Sequence, residues 1–197
     1  MTALKRLALW LATLAVAPRY AVWLVMARLV GPDRALMGAS QSLSRIPGLR
    51  GRYQRVAFLR LVLDHCDETA CVEFGTVFSQ RRARLGANVY IGPYCQIGRA
   101  HIGDDTLLAA GVHVPSGPET HGIAKLDVPI RLQPGNLRVV SIGSDCWIGS
   151  AAVVMADVGA HTVVAAGAVV TSPLPPTVIA GGVPARVLKS REGGEGA

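Results

Sequence analysis

An all-β solenoid, a parallel β-helix assembled from six-residue units, is the fold class this 197-residue sequence predicts. Three observations carry the prediction. Aliphatic residues recur at six-residue steps from Leu85 to Val170, half of all residues are hydrophobic with only 5% aromatic, and 22 glycines and 12 prolines punctuate the chain. Val, Ile, Ala and Gly in place of Leu and Phe suit many short strands, tightly turned around a narrow interior. The length suffices for one domain with a sizeable core and an appendage.

The appendage comes first, an apolar and basic helical segment over residues 1–70. Its opening, "LKRLALWLATLAVAPRYAVWLVMARLVGP", holds two apolar runs, Leu7–Ala17 and Tyr20–Val30, parted by Pro18 and Arg19. Each falls short of the roughly 20 residues a transmembrane helix needs. One span across both would bury Arg19 beside a helix-breaking proline. Two short helices are predicted, in peripheral contact with a membrane surface through residues 1–30, with Trp10 and Trp23 as interfacial anchors. The alternative is a helical hairpin packed on the domain. A secretory signal is disfavoured by the proline directly after "AVA". Residues 31–66 read as a basic connector ending in a helix at "GRYQRVAFLRLVLDHC", where Tyr53, Val56, Leu59 and Leu63 recur at steps of three and four.

The period changes near Val72. Leu85, Ile91 and Ile97 stand six apart, each followed by glycine. The series resumes at Ile102, Leu108 and Val114, breaks, returns at Ile142, Ile148 and Val154, and finishes at Val158, Val164 and Val170. Self-similarity at a short fixed period marks a solenoid. Six residues allow one short strand and a turn, so three units close a triangular coil with each leading aliphatic inward. Glycine after the aliphatic answers either a clash with a neighbouring coil or a need for positive φ. The β-helix domain is placed at 71–190, with about four to five coils, a short C-terminal helix, and a flexible tail over 191–197. Between the third and fourth triplets, prolines 115, 118, 129 and 134 and glycines 117, 122 and 135 erase the period. That stretch, 115–141, must leave the coil as a loop, and long loops on compact solenoids are usually functional.

The formal charge is +7 and the pI about 9.7, which favours an anionic partner. The basic clusters "RRAR" and "RIPGLRGRYQR" are not interleaved with stacking aromatics, so no nucleic acid is expected. Cys66, Cys71, Cys95 and Cys146 match neither a zinc knuckle nor a redox pair and read as buried thiols of a reducing cytosol.

The motifs "IGPYCQIG", "SGPETHG", "IGSDCWIGSAAVVMADVG", "VVAAGAVVT" and "IAGGVPARV" resemble the hexapeptide-repeat acyltransferases, within them the acetyltransferases acting on sugars of exopolysaccharide, capsule or lipopolysaccharide. The resemblance covers Leu85 to Lys189. It implies a left-handed coil, a homotrimer with active sites between subunits, acetyl-CoA as acyl donor and a saccharide or lipid-linked saccharide as acceptor. A cytoplasmic enzyme is expected, and the apolar, basic N-terminus points to the inner membrane face, where a lipid-linked saccharide and acetyl-CoA are both available. His121 stands where such enzymes place a general base, in the broken repeat. A neutral imidazole takes the proton of a hydroxyl as its oxygen attacks the thioester, help that typically contributes about 10²- to 10⁴-fold. His113 is the second candidate. Relatives often carry another histidine or basic residue where this chain has Pro118 and Glu119; Glu119 or Asp127 is offered to orient the imidazole, and Glu119 and Trp147 to line the acceptor cleft. The resemblance lays the pantetheine arm along Ser150 and Ala166, with Thr171, Ser172, Val183 and Arg186 toward the nucleotide end. Serine replaces the expected lysine at Ser172, for which Lys189 or Arg191 compensates. The competing functions are N-acetyl transfer to an amino sugar or sugar nucleotide, a zinc hydratase on the same scaffold, and a non-catalytic scaffold. The zinc reading needs three histidines at a spacing this chain lacks, so no metal is expected.

Overall fold

A computed structural model describes residues 2–191. The chain forms three helices followed by a triangular parallel solenoid. Cys66, Val72 and Phe78 open the first coil, and Leu85, Ile91 and Ile97 stack directly on them in parallel register. Later triplets follow up to Val158, Val164 and Val170, and a sixth turn adds Leu174 and Ala180. All of these inward residues are buried. Three sheets result. The first runs from His65–Cys66 through Arg84–Leu85 and Ala100–Ile102 to Val140–Ile142, the second from Cys71–Val72 to Val178–Gly181, and the third from Val77–Phe78 to Val169–Val170.

There are thus about six turns rather than four to five. The first coil starts at His65, six residues before the periodicity places it, because Cys66, Val72 and Phe78 are followed by Asp, Glu and Ser instead of glycine. The last turn is hidden because Leu174 is followed by proline rather than glycine, and after Ala180 the chain turns back as Arg186–Ser190 instead of adding a third strand.

The corner between the first and second sheets carries a column of left-handed residues: Asn88, Asp105, Asp145, His161 and Thr177. Asn, Asp and His tolerate that conformation best among residues with a Cβ. Inside, buried threonines staple coil to coil. The Thr106 hydroxyl donates to the Gly143 carbonyl at 2.7 Å and accepts from the Cys146 N–H at 3.1 Å, and so ties the coil after the insert to the coil before it. Replacing Thr106 with valine keeps the shape but strands both backbone groups in a dry core. A stability loss of about 1–3 kcal/mol is expected from the denaturation midpoint.

The helices close the open N-terminal end. A continuous helix, α1, spans Ala3–Val30, where two shorter ones were expected. Leu9, Ala12, Val16 and Trp23 are buried, with Tyr20 and Ala27 partly so, and this three-to-four-residue stripe runs straight across Pro18. Packing on both sides of the proline holds the helix together despite a lost backbone bond. The connector contains a second helix, α2 (Pro32–Ser44), started by proline at its first position and Asp33 in its first turn. The third, α3, covers Gly48–Val62, so its last expected turn already belongs to the solenoid. These helices satisfy the first coil's exposed edge. Ser40 Oγ accepts from Phe78 N–H at 2.9 Å, the Ser44 carbonyl from Gly75 N–H at 2.9 Å, and buried Arg55 donates Nε to the Val72 carbonyl at 2.8 Å. An uncovered strand edge would otherwise template aggregation.

At the other end the described residues form a strand where a C-terminal helix was expected. Arg186–Ser190 forms a strand that folds back antiparallel on Val178–Gly181, because the last strand of the second sheet leaves an edge to be paired. Arg191, assigned to the tail, is anchored: its N–H donates to the Thr177 carbonyl at 2.8 Å and its guanidinium reaches Asp145 at 3.3 Å. Residues 192–197 of that tail lie outside the described residues.

Candidate active site

Residues preceding each inward aliphatic point outward from the coil. Down the third sheet these are Val77, Gln96, His113, Val153 and Val169, in direct register. Two polar side chains, Gln96 and His113, thus sit side by side in a column of valines. They line a groove of about 410 Å³, walled on one side by Met37 and Gln41 of α2 and on the other by Thr120 and Leu137 of the loop. Gln96 and the α2 wall went unnoticed in the sequence. The outward register was legible for Gln96, while the wall depends on how α2 docks on the third sheet.

The loop is a closed structure with a stem. The Ser116 carbonyl accepts from Arg138 N–H at 2.8 Å and the Glu119 carbonyl from Asn136 N–H at 2.7 Å. Arg99 clamps the base: its backbone N–H donates to Ser116 Oγ at 3.0 Å, its Nη1 to the Leu137 carbonyl at 3.2 Å, and its Nε to Gln80 at 3.0 Å. At the tip the buried Gln133 amide donates to the Lys125 and Val128 carbonyls at 2.7 and 2.8 Å. The arms lie so close that a Cβ on Gly135 would stand 2.1 Å from the Thr120 carbonyl oxygen.

His121 follows Thr120 on this stem. Its side chain is exposed and has no hydrogen-bond partner among the described residues. His113 is likewise exposed and unpartnered among them, in the groove. His113 and Thr120 line the groove, and His121 follows Thr120 in the chain without lining it. Glu119 meets the Asn136 amide at 3.5 Å, and neither it nor Asp127 hydrogen-bonds an imidazole.

The other predicted residues lie elsewhere. Ser150 and Ala166 are exposed at the corner between the second and third sheets, where the Ser150 carbonyl accepts from Gly167 N–H at 2.8 Å. Thr171 and Ser172 are exposed just beyond the last strand of the third sheet, Val183 is 71% exposed in the C-terminal turn, and Arg186 opens the returning strand. Trp147 is 55% exposed on the second sheet, between Leu107 and Val163, and within one chain it does not enter the histidine groove. Lys189 is exposed, whereas Arg191 is engaged with Asp145. His161 pairs with Asp145 at 3.0 Å, and His101 lies on a strand of the first sheet. Among the described residues no three His, Cys, Asp or Glu side chains gather as metal ligands.

All four cysteines are free. Burial pushes the Cys66 thiol up to about 12 and the Cys71 thiol up to about 11, and it raises Cys95 and Cys146 as well. A raised pKa keeps the thiol neutral until the pH approaches it, so at pH 8 the Cys71 thiolate is about 10²-fold scarcer than that of an ordinary cysteine. None of the four is therefore suited to carry an acyl group. Iodoacetamide should label the buried Cys66, Cys95 and Cys146 only after denaturation, as mass spectrometry of the intact chain would show.

Fold and groove together define a β-helix enzyme with a histidine-bearing loop over one face. Residues 82–116 match the family described as bacterial transferase hexapeptide (six repeats), and residues 139–172 the hexapeptide repeat of succinyl-transferase. The two matches stop on either side of the loop. The galactoside O-acetyltransferase of Escherichia coli (strain K12) is 30% identical over 148 residues, which are 69% of this chain and 68% of that protein. Among solved structures, the hexapeptide-repeat containing acetyltransferase VCA0836 of Vibrio cholerae, solved also with acetyl coenzyme A, superposes with a TM-score of 0.68 at 25% identity. That match covers 81% of this chain and 93% of the other. A galactoside acetyltransferase in complex with coenzyme A gives 0.67 at 23% identity, over 81% and 82%. This chain belongs to the left-handed β-helix, hexapeptide-repeat acyltransferases.

Proposed function

We propose that this protein transfers the acetyl group of acetyl-CoA to a hydroxyl of a saccharide in the synthesis of a surface polysaccharide, with His121 as general base. The observation that carries the reading is the broken repeat itself. A clamped, proline-stiffened loop carries an exposed, unpartnered imidazole one residue beyond Thr120, which lines the groove holding His113, in a family whose E. coli member is a galactoside O-acetyltransferase. The imidazole nitrogen takes the acceptor's proton as its oxygen attacks the thioester carbon, and the tetrahedral intermediate collapses with loss of the thiolate. That thiolate recovers the proton from the imidazolium, so no covalent enzyme intermediate is needed. The high thiol pKa values agree with such direct transfer.

Coenzyme A is a long polyanion. Ser150 and Ala166 offer backbone N–H groups at an exposed corner, and Arg186 and Lys189 offer cations near its end for the phosphates. These groups lie on a different face from the histidines. A homotrimer, in which the second face of one subunit approaches the groove of the next, brings the two halves together. The outward apolar pair Leu107 and Trp147, at 46% and 55% exposure, suits such a contact. Thiol release from acetyl-CoA, measured against a panel of glycans, amino sugars and sugar nucleotides, tests the reading. A neutral glycan that drives release supports it. Release driven only by amines moves the protein to N-acetyl transfer, and a chain that does not bind coenzyme A overturns it.

A further inference from the structure

We infer that α1 docks flat on the surface of an anionic phospholipid bilayer, with its apolar side in the headgroup–acyl boundary and the cations of the helical layer on the lipid phosphates. The first observation is exposure. Leu4, Leu7, Trp10, Leu14, Val25 and Leu29 stay more than half exposed along a helix of 28 residues. Soluble monomers rarely leave so long an apolar surface open. By length and composition α1 could cross a membrane. It does not stand free to do so, because Leu9, Ala12, Val16 and Trp23 are buried in a core shared with α2 and α3. A spanning placement would draw Arg34 and Arg60 toward hydrocarbon, at high cost. A helix with one side packed on protein and the other apolar and open lies in the interface plane.

The second observation is the distribution of charge. Residues 1–60 hold ten Lys and Arg against Asp33 alone, a net of +9; residues 61–197 hold ten against twelve Asp and Glu, a net of −2. The basicity of the whole chain therefore resides in the helical layer. A second copy docked through α1 would set two such layers against each other, whereas an anionic bilayer neutralises them. Between α1 and α2 lies an apolar groove of about 620 Å³, lined by Val22, Met26 and Val30, with Arg19 and Arg34 beside it. It can take one acyl chain with its phosphate between the two guanidiniums. The other side of α2 carries Met37 and Gln41, which wall the histidine groove. Docking therefore leaves that groove about one helix diameter, ~10 Å, from the lipid. The docking is independent of the acyl acceptor; only its use for a lipid-carried saccharide rests on the proposed acetyl transfer.

Co-sedimentation of the full chain with vesicles of phosphatidylcholine, alone or mixed with phosphatidylglycerol, tests the inference. Binding to the anionic vesicles should exceed that to the neutral ones by at least about tenfold and weaken with salt. Leu11→Glu with Val25→Glu, both at exposed positions, should abolish it. Arg19→Gln, Arg28→Gln and Arg34→Gln together should lower it by about 10²-fold, with circular dichroism and thermal unfolding unchanged. The inference is overturned if the wild-type chain stays in the supernatant with both vesicles, or if the folded variants bind as it does. It is equally overturned if the Leu11→Glu/Val25→Glu pair dissolves an oligomer of a chain that ignores vesicles, since a second copy would then occupy the patch.

Discussion

Replacing His121 with alanine should lower kcat/KM for acetyl transfer by about 10²- to 10⁴-fold while coenzyme A binds unchanged. The size follows from the acceptor. A sugar hydroxyl has a pKa far above neutral, so without a base the oxygen attacks while still carrying its proton. Binding of coenzyme A should be spared because the residues proposed for it, Ser150, Ala166 and Arg186, lie at the second-to-third-sheet corner and the C-terminal strand, away from the loop stem. Added imidazole should restore part of the rate, which a variant that merely distorts the loop would not show. His113→Ala is the decisive companion. It should cost less, as a neighbour in the groove; a larger loss there than at His121, with rescue by imidazole, transfers the base to His113.

Gly149→Ala should be among the most damaging single substitutions in the solenoid, at a cost of about 3 kcal/mol or more. A Cβ at this position would stand 2.4 Å from the Ala166 nitrogen and 2.8 Å from the Ala165 carbonyl carbon, both backbone atoms of the next coil. Neither can swing aside, so the coils must part and weaken the Trp147–Val163 and Ile148–Val164 pairing. For a domain of this size the melting temperature should fall by on the order of 10 °C. Gly167→Ala is the contrast: its φ of +68° strains any other residue, but nothing lies within 4 Å of the added carbon. That strain alone costs about 1–2 kcal/mol. Thermal unfolding of the two variants should rank them clearly, and equal losses would mean that coil spacing is softer than these contacts imply.

The repeat made most of the solenoid legible, because a residue that must point inward every sixth position leaves a mark no other constraint erases. The glycines were legible too, and the structure chooses between the two reasons for them. Gly92, Gly143, Gly149 and Gly159 avoid a clash with the next coil, while most left-handed corners are occupied by Asn, Asp and other residues. The ends were less legible. Cys66 and Phe78 fit the inward column but lack the glycine that announces it, and the C-terminal strand owes its form to an edge made by residues distant in sequence. In α1, a proline read locally predicts a break, and only the stripe from Leu9 to Ala27 shows that packing overrules it. At the candidate site, His113 and His121 could be named from the sequence. The groove beside His113 could not, since it needs α2 to lie across the third sheet.

The way the loop rejoins the coil has a wider consequence. Val140 and Ile142 sit over Ala100 and Ile102 as if nothing had intervened, and Ser116, Arg138 and Arg99 seal the base beneath the excursion. The excursion is therefore a module, attached at two fixed points and carrying none of the scaffold's alignment. No strand of the excursion pairs with a rung, so the register on either side does not depend on its length.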